Sequence, residues 1–243
     1  DQAKASTHAV TLVVFPHRFR ISDLSDFDQF VKQADYRDWL GSPHIEFLIT
    51  CSSREARTLE KIRSQASTFA EWVLVKRGIE VFRPVQTSRG MVNAQPALAG
   101  KLQRYNIGEE ELGFIAYPPD IQASKPLEYF SGPRILLRQV LSRKLRLQAA
   151  FAEERFLTSQ SVQSIISNPA VKNGPALECL LAILNSRLIS WYFVNLNSVA
   201  RRDDFPKIII QQTREMPIPD LQSDFAGSRH DRLITLTRIM AQQ

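Results

Sequence analysis

The chain has 243 residues, of which 44% are hydrophobic and 23% charged, with a formal net charge of +6. This is the composition of a globular domain. No apolar run reaches the ~18 residues of a membrane helix, so no membrane partner is expected. Two cysteines, Cys51 and Cys179, make no disulfide scaffold, and the histidines His8, His17, His44 and His230 lack ligand-like spacing. Reduced thiols and a cytoplasmic location are expected. The chain starts at Asp1 and is read as a fragment of a longer polypeptide.

Taken in order, "VTLVVF" (10–15) predicts a strand from its β-branched and aromatic residues. "SDLSDFDQFVKQADYRDWL" predicts an amphipathic helix to about Leu40, capped by Ser22 or Ser25. "IEFLIT" (45–50) reads as a strand. "SSREARTLEKIRSQASTFAEWVLVKRG" reads as one long helix, with Ser52 and Glu55 as a capping box and Gly78 as terminator. Ala56, Leu59, Ile62, Ala66, Phe69 and Val73 would share its apolar face.

From residue 79 the texture is short β-like pieces with turns. "GIEVFRPV", "ELGFIAYPP" and "PRILLRQVL" predict strands, and "KLRLQAAFAEERFLTSQSVQSII" two strands about a turn near Glu153–Glu154. A helix follows from about Pro175 to Asn195, with Leu177, Leu180, Leu181, Leu184, Leu188 and Trp191 as an apolar stripe. Asn185 and Ser186 sit in its middle, where neither is favoured as a helix former. "FPKIIIQQTREMPIP" reads as a strand, and 223–243 as a polar helix with Leu233, Ile234, Leu236 and Ile239 on its apolar side. Strands mostly neighbour strands, so the fold class is α+β.

No P-loop, GxGxxG, HExxH or GxSxG is present. "YPPD" (117–120) reverses the polar and aromatic ends of the Asn-Pro-Pro-Tyr element that holds a flipped adenine, so it is read as a turn. Asp203, Asp204 and Lys207 approach a metal-dependent nuclease pattern without matching it. No catalytic, metal-binding or cofactor-binding residue is assigned.

The basic charge is clustered. Between Glu128 and Glu153 no acidic residue occurs, while Arg134, Arg138, Arg143, Lys144 and Arg146 do. Period-two alternation places Arg134 and Arg138 on one strand face and Ile135 and Leu137 on the other. Arg201, Arg202 and Lys207 form a second group, and Arg77, Arg83, Arg89, Lys101 and Arg104 a looser third. Such clusters suit a phosphate backbone, or else an acidic protein partner.

The motif order goes further. "PALAGKLQRY" (96–105), "FSGPRILLRQVL" (130–141), "LQAAFAEERFLTSQSVQSII", "LECLLAILNSRLISWYFVNL" and "FPKIIIQQTREMPIP" resemble, in sequence, five segments of TaqI-like specificity domains. Those are the target-recognition domains C-terminal to adenine methyltransferases and type II restriction–modification enzymes. "LEKIRSQASTFAEWVLVKRGI" resembles the link from the catalytic domain, without the second glycine expected after Val81.

The resemblance implies a mainly antiparallel sheet with packed helices: 1–75 a linker with the catalytic-domain edge, 76–222 the specificity domain, and 223–243 a C-terminal helix. It implies that double-stranded DNA and the catalytic domain of the same polypeptide are the partners. S-adenosylmethionine would be bound by that absent domain and not by this chain. The expected DNA contacts are Lys101, Arg104, Arg134, Arg138, Arg143, Lys144, Arg201, Arg202 and Lys207, while Asn185, at the family's Asn-Ser position, is expected to bond nearby backbone rather than DNA. The alternatives are a small metal-dependent nuclease, or a protein-interaction module with a basic face.

Overall fold

A computed structural model describes residues 9–13, 27–40, 51–80, 84–108, 112–117, 125, 127–197, 200, 206–219 and 228–241. The expected strand 45–50, the helix caps Ser22 and Ser25, and the Arg201–Asp204 segment lie outside these residues. The architecture is α+β. Its centre is a four-stranded antiparallel sheet in the order β4 (Val73–Arg77), β10 (Val162–Ser167), β7 (Arg134–Arg138), β8 (Ala149–Ala152).

Three smaller sheets surround it. β1 (Ala9–Val13) pairs β2 (Val31–Asp35), and β3 (Ala66–Thr68) pairs β11 (Pro217–Pro219), both antiparallel. β5 (Ala94–Leu98) joins β6 (Leu112–Ala116) antiparallel and β9 (Leu157–Thr158) parallel.

Both faces of the central sheet are covered. Ile135 and Leu137 enter the main core with Leu180, Leu184 and Phe193. Leu136, on the opposite face, packs with Leu98, Leu102 and Val162. Each large side chain so buried stabilises the fold by about 1.5–3 kcal/mol before entropy is counted. Cys51, Leu59 and Phe69 share the main core, and β4 spans the boundary expected at 75/76.

Several elements depart from the sequence reading. The expected helix to Leu40 is a 3-10 turn (Phe27–Phe30), strand β2 and the short helix α1 (Tyr36–Leu40); pairing with β1 outweighs helical periodicity. The long helix from Ser52 starts as expected, with the Ser52–Glu55 capping box formed, but α2 is only Ser53–Ser64. Then come β3, a single turn α3 (Phe69–Trp72) with its own Thr68–Glu71 capping box, and β4, whose Val73 and Val75 suit a sheet. Gly78 is no helix terminator. A Cβ there would meet the Ser159 carbonyl oxygen at 2.1 Å, so the close approach of two backbones demands glycine.

Ile79 and Val85 make only isolated bridges, to Ser159 and Phe114. The 145–167 region holds three strands, not two, because Leu157–Thr158 breaks off to pair β5. The expected 175–195 helix is α4 (Leu177–Leu184) and α5 (Arg187–Leu196), bent by 59° at Asn185–Ser186. Ser186 caps α5 by accepting from the Ile189 N–H. The bend resets the helical face, leaving Leu188 54% exposed, so it is not part of the stripe.

The "FPKIIIQQTREMPIP" segment is no strand through its length. It holds a bridge at Lys207, the helix α6 (Ile210–Arg214) and β11. The C-terminal helix α7 is Ser228–Ala241 and packs on α4 through Thr237, whose Oγ1 donates to the Glu178 carbonyl at 3.2 Å. Leu236 and Ile239 point to solvent instead of the expected apolar side.

Candidate nucleic-acid interface

Antiparallel order brings four chain ends to one rim of the central sheet. Register pairs Arg77 with Gln163 and Arg138 with Val162, and β8 starts beside Leu137 at Ala149. The rim therefore carries Arg77, Arg138, the Gln139–Val140 exit, the Gln160–Ser161 turn and Gln148. Val140 bridges Lys207, which brings that one described member of the second basic group to the rim. Beyond β7, Arg143 and Lys144 stand exposed on a turn closed by the Leu145 N–H donating to the Ser142 carbonyl at 2.8 Å.

The same rim continues past β8. The Tyr105 N–H donates to the Ala149 carbonyl at 2.7 Å, which places Arg104 here, its guanidinium 5.5 Å from the Tyr105 ring centre. Arg146 donates from Nε to Ser190 Oγ at 3.2 Å and from a terminal nitrogen to the Asn185 carbonyl at 2.8 Å. Its pKa is lowered, first by burial and then by the guanidiniums of Arg104 and Arg187, which stand near enough to disfavour its charge. Lys125 adds a cation behind Arg77 by donating to the Arg77 and Gly78 carbonyls. Its pKa is lowered by burial and then by Arg77.

The rim arginines have a common mode of support. Arg77 donates to Gln160 Oε1 at 2.8 Å and Arg138 to Gln148 Oε1 at 3.2 Å. Neutral acceptors orient these guanidiniums without cancelling their charge. Elsewhere arginines meet carboxylates: Arg37 with Asp35 at 2.5 Å, and Arg238 with Glu178 at 2.8 Å. The opposite rim has Glu153 and Glu154 directly after β8, near Glu178 and α7. The described cations thus gather at one rim, while the opposite rim mixes Glu153, Glu154 and Glu178 with Arg238 and is followed by Arg155.

Arg134 corrects the expected contact set. It lies at the far rim, fully buried, with its guanidinium 4.7 Å from the Phe156 ring centre. It donates to the Gly132 carbonyl at 2.9 Å and the Phe156 carbonyl at 3.4 Å, and desolvation lowers its pKa to about 10. A side chain without exposed surface touches no DNA; it clips two loops together. Alternation put Arg134 and Arg138 on one face, but it could not show that both faces are covered.

Of the other expected contacts, Arg138, Arg143, Lys144, Lys207 and Arg104 are gathered on the basic rim, and Lys101 stands exposed in the loop leading to Arg104. Arg201 and Arg202 lie outside the described residues, as do Asp203 and Asp204. Arg187 was missed: its only sequence signal is a basic residue directly after the helix-breaking Asn185–Ser186 pair. The glutamines that orient Arg77 and Arg138 carry no motif.

Asn185 behaves as expected. Its carboxamide accepts from the Ala149 N–H at 3.0 Å and donates to the Ala149 carbonyl at 2.9 Å. Of "YPPD" only Tyr117 is described, and its hydroxyl accepts from the Lys125 N–H at 2.8 Å. Among the described residues, no three His, Cys, Asp or Glu side chains group to hold a metal ion, and no single helix is long and apolar enough to cross a membrane.

Fold and rim define an α+β module with a cationic edge whose arginines Arg77, Arg138 and Arg146 are held, among the described residues, by neutral acceptors. The profile of the TaqI-like C-terminal specificity domain matches residues 95–218, and the chain belongs to that family. Over 124 residues, 51% of this chain, it is 25% identical to a predicted type II restriction enzyme and methyltransferase of Methanocaldococcus jannaschii. The chain spans 10% of that relative's length.

Among solved structures, it is similar to a chain from a type I restriction–modification system, with TM-score 0.40 and 11% identity, over 72% of this chain and 37% of the other. It is also similar to the HsdS subunit of Thermoanaerobacter tengcongensis, with TM-score 0.39 and 11% identity, over 77% and 43%.

Proposed function

We infer that this chain is the DNA-recognition part of a restriction–modification protein, and that the basic rim is the surface it lays on duplex DNA. The observation that carries the reading is the support of Arg77, Arg138 and Arg146 by amide, hydroxyl and carbonyl oxygens. An arginine paired to a carboxylate is already neutralised. One held by a neutral acceptor is oriented and remains available to phosphate or to the O6 and N7 of guanine. Each phosphate neutralised releases counterions, which gives affinity and a steep salt dependence.

The parent protein is a SAM-dependent, adenine-specific methyltransferase whose catalytic domain belongs to the same polypeptide and works in the cytoplasm. The resemblance of five ordered segments to domains that follow such enzymes supports this. The chain's own part is to grip and select; cofactor binding and methyl transfer belong to the catalytic domain. Fluorescence-anisotropy titration of duplex DNA at two salt concentrations tests the reading. Binding that weakens steeply with salt is expected, and a folded chain that binds no duplex at low salt defeats it.

A further inference from the structure

An open recess of about 390 Å³ sits on the basic rim, lined by Arg77, Gln139, Val140, Gln160, Ser161 and Lys207. Its walls are fixed by backbone hydrogen bonds. The Gln139 N–H donates to the Ser161 carbonyl at 2.8 Å, the Ile208 N–H to the Gln139 carbonyl at 2.9 Å, and the Gln160 N–H to the Ile79 carbonyl at 2.7 Å. Among the described residues, the Lys207 ammonium, the Gln139 carboxamide, the Gln160 NH₂ and the Ser161 hydroxyl have no hydrogen-bond partner.

What this recess offers is mostly donors. The Gln160 carbonyl oxygen is occupied by Arg77, so its amide presents only N–H groups outward. Two cations stand with them, and no carboxylate is among the described lining residues. A base edge in the major groove presents donors and acceptors mixed, whereas a phosphodiester presents acceptor oxygens and negative charge.

Resting on the DNA-recognition reading above, we propose that this recess seats a backbone phosphate of the duplex between Arg77 and Lys207, with the Gln139 and Gln160 amides and the Ser161 hydroxyl as neutral donors. It fixes the register of the domain along the backbone, and the bases are read elsewhere on the rim.

The test is the salt dependence of duplex binding by the full 243-residue chain. It compares the unaltered protein, the double variant Arg77→Gln/Lys207→Gln, and Lys172→Gln as a charge control on the loop at the opposite end of β10. Circular dichroism and a thermal melt verify that each variant is folded. In the double variant the log–log salt slope falls by about 1, the loss of one phosphate contact. Its preference for a selected over a scrambled duplex stays within about twofold of the parent's, because a phosphate contact weakens binding uniformly across sequences. Lys172→Gln leaves both quantities unchanged.

An unchanged slope in the double variant overturns the proposal while leaving DNA recognition standing. A collapsed preference at constant slope overturns it in favour of base reading. A parent chain that binds no duplex removes the underlying reading and the proposal together.

Discussion

The Asn185 carboxamide closes a two-bond ring with the backbone of Ala149, accepting from its N–H at 3.0 Å and donating to its carbonyl at 2.9 Å. The pair joins the α4–α5 bend to the first residue of β8, next to the Arg104–Arg146–Arg187 cluster. Asn185 is fully buried, so truncation leaves the Ala149 N–H without a partner, while the Ala149 carbonyl keeps its bond from the Tyr105 N–H. Asn185→Ala is expected to cost about 3 kcal/mol, or roughly 6–12 °C in Tm for a chain of this size. Asn185→Asp keeps the acceptor but sets a buried carboxylate oxygen against the Ala149 carbonyl, so at neutral pH it should lose at least as much. Denaturant titration checks both.

Arg134 and Arg138 end the same strand and should behave differently. Arg134→Ala opens a cavity and removes the donors to Gly132 and Phe156, with an expected cost of about 2–4 kcal/mol. Its salt slope for duplex binding should stay at the parent value. A reduced slope in a folded Arg134→Ala protein would show that the buried clip also meets DNA.

The neutral support of Arg138 yields a nearly isosteric test. Gln148→Glu places a carboxylate where the amide oxygen now accepts from the guanidinium, neutralising it without moving it. The salt slope should fall by about 1, with thermal stability unchanged or slightly raised, since exposed pairs contribute about 0.2–1 kcal/mol. Salt-dependent anisotropy and a melting curve measure the two effects, and a slope equal to the parent's would contradict the assignment of Arg138 to the interface.

Cys179 is fully buried in the first turn of α4, and burial, with Glu178 beside it second, raises its pKa to about 11. In the unfolded chain the thiol ionises near ~8.5, so above that pH the unfolded state sheds a proton that the folded state keeps. Stability should be fully present below that value and fall as pH rises toward 11, by about 2–3 kcal/mol. Cys179→Ala should flatten this part of the pH–stability profile. An equally steep loss in that variant would assign it to other groups.

Several features were legible because their causes are local. The Ser52–Glu55 capping box needs only two side chains three residues apart, and the Arg134–Arg138 strand needs only its composition. Asn185 is legible through the resemblance, since it and Ser186 stand where the family pattern has its Asn-Ser pair, in a stretch of helix that favours neither. The long helix after Ser52 failed because Ala66–Thr68 and Val73–Arg77 are drawn into sheets by β11 and β10, which lie about 90–150 residues away.

The basic groups were visible as runs in sequence, but their convergence was not. Arg77, Arg138 and Lys207 meet only through strand order, and Arg104, Arg146 and Arg187 only through the α4–α5 bend. Arg134 was misassigned for the complementary reason, since period-two alternation sorts faces but does not say which face meets solvent.

Sequence choice through the basic rim is what selection from a randomised duplex pool by the full chain would reveal. One short common motif should be enriched, bound with a steep salt dependence that falls when Gln148→Glu neutralises Arg138. A bound pool as random as the input, or no retained duplex at low salt, would contradict it.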